Sequence, residues 1–126
     1  NRILIGEKEL NQSIEFSNKG LKYFSQNDFK NAAIQFENAI NSNPLNYAFY
    51  ENAATSNYMI GNLDKALSQI NKVIDELNPL NGKCEYIKAL IYIRLGDVIS
   101  ACPFLEISKD SGFSESISMY DKYCNY

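Results

Sequence analysis

The side chains that could do chemistry in this chain are three cysteines and fifteen carboxylates, because the sequence contains no histidine. Without histidine the usual general base at neutral pH is missing, and no group is positioned to activate a cysteine nucleophile. No two cysteines form a CxxC pair, so a zinc site is not expected. The neighbouring acids Glu7 with Glu9 and Asp75 with Glu76 do not face each other on a helix, so we interpret them as solvated surface. The sequence therefore predicts no enzyme, no metal and no cofactor.

The length and charge of the chain exclude further classes of function. At 126 residues it is long enough for one domain with a buried core. Its net charge of −3 argues against a nucleic-acid binder, which needs clustered lysine and arginine. No apolar run reaches the roughly 18 to 20 residues that a membrane span requires. Binding of nucleic acid and insertion into a membrane are therefore not expected.

A segment made of a polar turn, an apolar residue and then alanine recurs along the chain. Ala66 follows Ala32 by 34 residues, and Ala101 follows Ala66 by 35 residues. Small and aromatic residues at helical spacing precede and follow each turn, and Asn43-Pro44 and Asn78-Pro79 close the first two units. A period of this length is typical of stacked helical hairpins. Such stacks present a surface to another protein more often than they catalyse a reaction.

These residues resemble the tetratricopeptide repeat over roughly residues 13–113. The resemblance implies an all-α, right-handed α-solenoid of three antiparallel helix hairpins followed by a C-terminal capping helix, seven helices in all. The third unit departs from the pattern at Glu85 and Ser108, where a large apolar residue and alanine are usual, and no proline closes it. Pro103 near the start of its second helix predicts a slightly irregular first turn.

The expected division of this single domain follows the three units. Residues 1–10 form an N-terminal arm or the start of the first helix, 11–44 the first repeat, 45–80 the second, 81–113 the third and 114–126 the capping helix. We expect the first helix to begin near Asn11 and the fourth to run from Leu63 to Leu77. The apolar run Ile3-Leu4-Ile5 could begin the first helix, pack as an extended arm or continue an upstream domain.

Two cysteines, Cys102 and Cys124, lie equally far from a turn expected at Gly112 and Phe113. Residues equidistant from a hairpin turn sit level across it, so the two could form a disulfide. The alternative is that both are small buried hydrophobic residues, as free cysteines often are. A disulfide would indicate an oxidising compartment. By resemblance, repeats ending in a cysteine-containing cap suggest the bacterial cell envelope, with the cytoplasm as the alternative.

The resemblance also implies where a partner binds, because in this family the leading helix of each hairpin lines a concave groove. The residues expected there, called the predicted groove below, are Leu21, Phe24, Glu51, Thr55, Tyr58, Met59, Lys83, Tyr86, Leu90 and Arg94. The stripe is apolar and aromatic with isolated charges, which is typical of a partner site. We expect a peptide or helix segment of another protein there, with Glu51, Lys83 and Arg94 setting its orientation. Replacing Tyr58 and Tyr86 by alanine is expected to weaken binding and leave thermal unfolding nearly unchanged.

Two alternatives to this hypothesis remain open. The groove could be covered by the protein itself or by a second copy, which would make the chain a structural or self-associating subunit of a larger, cell-envelope assembly. A subset of the family clamps the C-terminal carboxylates of heat-shock chaperones with lysine and asparagine. Here only Asn52 and Lys83 fit such positions, whereas Ser17, Leu21 and Ile87 do not, so that ligand is not expected.

Overall fold

The computed structural model describes residues 4–77 and 79–125, which contain seven α-helices and no strand. In chain order, α1 to α7 span Glu7–Ser25, Phe29–Ser42, Tyr47–Met59, Leu63–Lys72, Lys83–Arg94, Val98–Asp110 and Glu115–Tyr123. Helices α1 with α2, α3 with α4 and α5 with α6 form the three hairpins, and α7 packs on α6. The predicted all-α solenoid is confirmed. No helix in the described residues combines the length and apolarity needed to cross a membrane.

The N-terminal region differs from the expected start of the first helix. Helix α1 begins at Glu7, four residues before Asn11. Leu4 is 88% exposed, so this residue of the apolar run does not pack against the domain. Ile3, which begins that run, and Asn78, which belongs to the second predicted boundary, lie outside the described residues.

Four turns repeat one backbone arrangement, and this explains the recurring turn residues. One residue in each turn has a left-handed backbone, and the next amide N–H donates to the carbonyl five residues earlier, as in a Schellman motif. The left-handed residues are Asn27, Gly61, Gly96 and Gly112, with φ of 60°, 83°, 82° and 91°. The four hydrogen bonds, Asp28 to Tyr23, Asn62 to Asn57, Asp97 to Tyr92 and Phe113 to Ser108, measure 2.9, 2.8, 2.8 and 3.1 Å. Glycine adopts this conformation without strain, and asparagine is the residue that tolerates it next best.

The second hairpin contains a π-helical turn, Val73–Leu77, directly after α4. The closing proline Pro44 follows the repeat alanine Ala32 by 12 positions, whereas Pro79 follows Ala66 by 13. A π-helical turn accommodates one extra residue within a helix. The predicted uninterrupted α-helix from Leu63 to Leu77 was therefore wrong in its last five residues.

The irregular turn predicted at Pro103 is absent, because α6 runs as a continuous α-helix from Val98 to Asp110. Its N-terminus is capped by Asp97, whose side chain accepts a hydrogen bond from the Ser100 amide at 3.1 Å. Proline inside a helix removes a single backbone donor. The capped first turn retains α-helical geometry despite that loss.

The core consists of three adjoining clusters, each built between consecutive helices. The first joins Ala32, Phe36 and Ala53. The second joins Tyr50, Ala54, Ala66, Ile70, Val73, Cys84, Ile87 and Ile91, and the third joins Ala89, Ala101 and Leu105. The repeat alanines Ala32, Ala66 and Ala101 are fully buried, so the small residues lie where the helices are in contact. The first cluster includes Ala53 of the second hairpin, and the second cluster includes Cys84, Ile87 and Ile91 of the third, so these two clusters hold the three hairpins in sequence along the domain.

Candidate partner-binding surface

Two groups of predicted-groove residues interact between α3 and α5. Glu51 lies near Lys83, and Tyr58 lies near Tyr86 and Arg94. Arg94 reaches from the end of α5 to the end of α3, where its guanidinium lies 5.2 Å from the centroid of the Tyr58 ring. Its Nη1 also donates a hydrogen bond to the Tyr58 carbonyl oxygen. A cation near the C-terminus of a helix is stabilised by the helix dipole, and its position over the ring adds a cation–π contact. Arg94 therefore joins two repeats, although its side chain remains largely exposed.

Glu51 is buried, whereas the sequence predicted that it lies exposed in the groove. Its residue exposure is 3%, and its Oε2 accepts a hydrogen bond from Asn81 Nδ2 at 3.3 Å. Burial raises the pKa of Glu51, and the charge of Glu85 acts in the same direction, whereas the Asn81 hydrogen bond and the charge of Lys83 lower it. Glu51 is not open to solvent because Asn81, in the segment before α5, packs against its carboxylate.

Tyr58 and Tyr86 are half-buried rather than freely exposed. The ring of Tyr86 lies 5.0 Å from that of Phe113, and Tyr86 also packs against the third core cluster. Tyr58 packs against the second cluster. Replacing either by alanine would remove core contacts as well as surface, so we expect such a replacement to lower the thermal stability as well as to weaken binding.

The accessible apolar side chains of the predicted groove are Leu21 on α1 and Met59 at the end of α3. They are 49% and 46% exposed, respectively. Phe24 is half-buried and makes an edge-on contact with Phe29, with ring centroids 5.0 Å apart. Leu21 and Met59 are therefore the side chains best placed to lose apolar surface to a partner.

The remaining residues of the predicted groove are less available to a partner, because they are half-buried or form hydrogen bonds within the chain. The Thr55 hydroxyl donates a hydrogen bond to the Glu51 carbonyl oxygen at 2.8 Å, and the Lys83 backbone amide donates one to Asn81 Oδ1 at 3.0 Å. Thr55, Lys83 and Leu90 are all half-buried.

Sequence reasoning missed the surroundings of Glu51. Glu85 is only 7% exposed, and its Oε1 accepts a hydrogen bond from Cys84 Sγ at 3.1 Å. Burial, followed by the neighbouring Glu85, raises the pKa of the Cys84 thiol to about 12. The signal was present, because Glu85 stands where the repeat pattern has a large apolar residue.

Two further features lie away from this surface. The structure has a disulfide between Cys102 and Cys124, with Cα atoms 5.6 Å apart across the hairpin of α6 and α7. A shallow cavity of about 320 Å³ between α2, α3 and α4 is lined by Glu37, Ile40, Asn41, Tyr50, Lys65 and Gln69. Within the described residues, no group of three potential ligands could hold a metal ion.

Comparison with solved structures identifies the fold as that of tetratricopeptide-repeat domains. The first such domain of Spaghetti (RPAP3), bound to the HSP90 peptide SRMEEVD, matches with a TM-score of 0.84 and 19% identity, over 92% of this chain and 93% of that one. The domain of Arabidopsis OM64 matches with a TM-score of 0.84 and 16% identity, over 90% and 94% of the two chains. The TPR2B domain of yeast Sti1, in a pHsp70 complex, has a TM-score of 0.76 and 22% identity, over 88% of each chain.

A relative in sequence covers only part of the chain. A stretch of 65 residues is 37% identical to Hsp70-Hsp90 organizing protein 2 of Arabidopsis thaliana, which is 52% of this chain and 11% of that protein. No protein-family model matches the chain.

Proposed function

We propose that this chain is a non-catalytic interaction module, which binds a peptide or helix segment of another protein along its leading helices α1, α3 and α5. The observation that carries the proposal is the exposure of Leu21 and Met59, about half of each side chain, on two of those helices. Apolar side chains left open beside half-buried aromatic rings are typical of a partner site. The chain is similar in fold to domains whose structures contain bound chaperone peptides, and this similarity supports a peptide-binding role for the surface.

The chaperone peptide itself is a poor fit to this chain. Clamping a terminal carboxylate would need polar or cationic side chains on the groove. Ile87, at one of those positions, is apolar, 6% exposed and part of the core. The buried carboxylates of Glu51 and Glu85 also add negative charge close to the groove residue Lys83, and this charge opposes the acidic residues of SRMEEVD. We expect no saturable binding of that peptide up to about 1 mM.

The test uses a peptide selected against the intact chain from a phage library of random 16-residue segments. Its affinity is measured by fluorescence anisotropy for the chain and for the variants Leu21→Asn and Met59→Asn. Matched controls are Ile34→Asn on α2 and Ile107→Asn on α6, because these side chains are 47% and 49% exposed on trailing helices. We expect each groove variant to weaken binding about tenfold, or about 1.4 kcal/mol, which is more than most interface residues contribute, and each control to change it less than about twofold.

Equal losses in the groove and control variants would contradict the proposed surface. Sedimentation of the unbound chain tests the alternative of self-association. A stable dimer that Leu21→Asn separates into monomers would assign the surface to a second copy of the chain. A monomer at all concentrations leaves the surface available to a partner.

A further inference from the structure

Helix α7 buries little surface of its own on the rest of the domain. It packs on α6, and of its nine residues only Ser116 is buried. Met119 and Tyr120 contact the third core cluster but remain half-buried, and Ile117 is 49% exposed. Hydrophobic stabilisation grows with the apolar area removed from water. The apolar contribution to the docking of α7 is therefore small.

The helix is also weak in itself. Isolated helices shorter than about 12 residues are marginal in water, and α7 has nine residues. The hydroxyl of Ser114, directly before the helix, donates to the Glu115 carboxylate and does not cap a backbone N–H. No ion pair in the part of the chain that the structure describes involves α7. The helical state of this segment therefore depends on its attachment to α6.

The two ends of α7 are attached to the domain in different ways. Before the helix, the Phe113 amide donates to the Ser108 carbonyl oxygen at 3.1 Å, and the Phe113 ring lies 5.0 Å from that of Tyr86. After the helix, Cys124 forms the disulfide with Cys102 in the second turn of α6. Non-covalent contacts thus hold the start of α7, whereas a covalent bond that can be broken by reduction holds its end.

The disulfide lies at the surface of the folded domain. Cys102 and Cys124 are both half-buried, and their neighbours Pro103 and Asn125 are exposed. The third cysteine, Cys84, is fully buried. Exchange of a disulfide begins when a thiolate reaches one of its sulfur atoms. Of the cysteines in this chain, the two in the disulfide are therefore the ones that a reductant in solution meets.

We propose that this disulfide is a redox switch for α7: its reduction releases residues 114–125 from α6 while the three hairpins stay folded. The reductant is a dithiol, which supplies two electrons and two protons. The S–S bond breaks, Cys102 and Cys124 become thiols, and the dithiol is oxidised to its own disulfide. Breaking the bond opens a loop of 22 residues, which favours the released state through its chain entropy.

The rest of the domain keeps its core when α7 leaves. The first two core clusters contain no residue of α7. In the third cluster, Ala89 of α5 still packs against Ala101 and Leu105 of α6. Release uncovers the side of this cluster against which Met119 and Tyr120 pack. The reduced form therefore differs from the oxidised form at one end of the solenoid.

The experiment is hydrogen–deuterium exchange of the intact chain, followed by mass spectrometry, with and without millimolar dithiothreitol. Exchange rates of amides report the local opening of each helix. We expect the amides of α7 to exchange about a hundredfold faster after reduction, a factor that corresponds to the loss of a loop closure of 22 residues. The amides of α5 should change less than about twofold, since local opening of α7 leaves that helix in place. Reoxidation should restore the slow exchange of α7.

Two variants serve as controls. Replacing both Cys102 and Cys124 by alanine should give rapid exchange of α7 with and without the dithiol, and Cys84→Ala should keep the response to reduction. If the double variant does not fold, reduction of the unmodified chain still decides the question.

Three results would overturn the switch. Unchanged exchange of α7 in the reduced protein would show that its other contacts suffice to hold it. Equal acceleration in α5 and α7 would show that reduction opens the whole domain. An intact mass that shows no reduction of the folded protein by the dithiol would show that the disulfide is out of reach.

Discussion

The replacement Gly20→Ala should destabilise the domain, although alanine is the better helix former. Gly20 is buried in α1, and a Cβ built there would lie 2.6 Å from Phe36 Cε1 and 2.9 Å from Cζ. Carbon atoms pack at about 3.5 to 4.0 Å, so the added methyl group would overlap the ring by about 1 Å. Phe36 is fully buried in the first core cluster, so its ring has no free space into which to move.

The expected size of the effect follows from two opposing contributions. Alanine in place of glycine in a helix contributes about 1 kcal/mol of stability. Overpacking a closed core costs about 1 to 3 kcal/mol, and the overlap here is with a ring that cannot yield, so we use the upper part of that range. The net loss is then about 1 to 2 kcal/mol, or a decrease in Tm of about 3 to 8 °C for a domain of this size.

The assay is urea and thermal unfolding followed by circular dichroism at 222 nm, a signal that α-helices dominate. Asn18→Ala is the matched control, since Asn18 is exposed on the same helix and its replacement should add about 0.5 kcal/mol. Phe36→Leu should relieve the overlap, so the double variant should show a favourable coupling of at least about 0.5 kcal/mol. A Gly20→Ala variant as stable as the Asn18→Ala control would refute the close approach of α1 and α2.

Three further outcomes are expected. Replacing Cys102 and Cys124 by alanine should lower the free energy of unfolding in urea by about 3 kcal/mol, because the disulfide closes a loop of 22 residues. An unchanged free energy of unfolding would count against the disulfide. Burial raises the pKa of Glu51, so the folded state binds a proton more tightly, and stability falls as pH rises from the ordinary 4.5 towards that raised pKa. The stabilisation by Glu51→Gln in thermal unfolding should therefore grow over the same window, and a difference independent of pH would contradict the burial. With a pKa of about 12, only about one in ten thousand Cys84 thiols is ionised at pH 8. A disulfide reagent should therefore label Cys84 only as fast as the domain opens. Rapid labelling would refute the burial of this thiol.

The repeat was predictable because its signals are local. Asn27, Gly61 and Gly96 mark turns whose backbone geometry favours these residue types. The alanines at one period lie where helices meet, since only a small side chain permits the close approach. The all-α class, the hairpins and the capping helix all follow from such signals.

The groove was less predictable because its character depends on contacts between repeats. Helical position placed Glu51 on the binding stripe, but nothing near it in sequence indicates that Asn81, thirty residues later, donates a hydrogen bond to it. The sequence predicted Arg94 as an isolated cation of the groove. Its hydrogen bond to the Tyr58 carbonyl oxygen, 36 positions earlier, is visible only in the structure. Periodicity identifies the face of a helix, but it does not give the depth at which each side chain lies.

The sequence by itself determined the architecture of this protein, because a period of 34 residues with glycine or asparagine at the turns allows few arrangements other than stacked hairpins. Only the tertiary structure decided which groove residues are accessible and which are buried. Packing of α3 against α5 withdraws Glu51 from solvent and leaves Met59 exposed. That difference arises from contacts between repeats, such as that of Asn81 with Glu51, and the electrostatic energy of a carboxylate depends strongly on its burial.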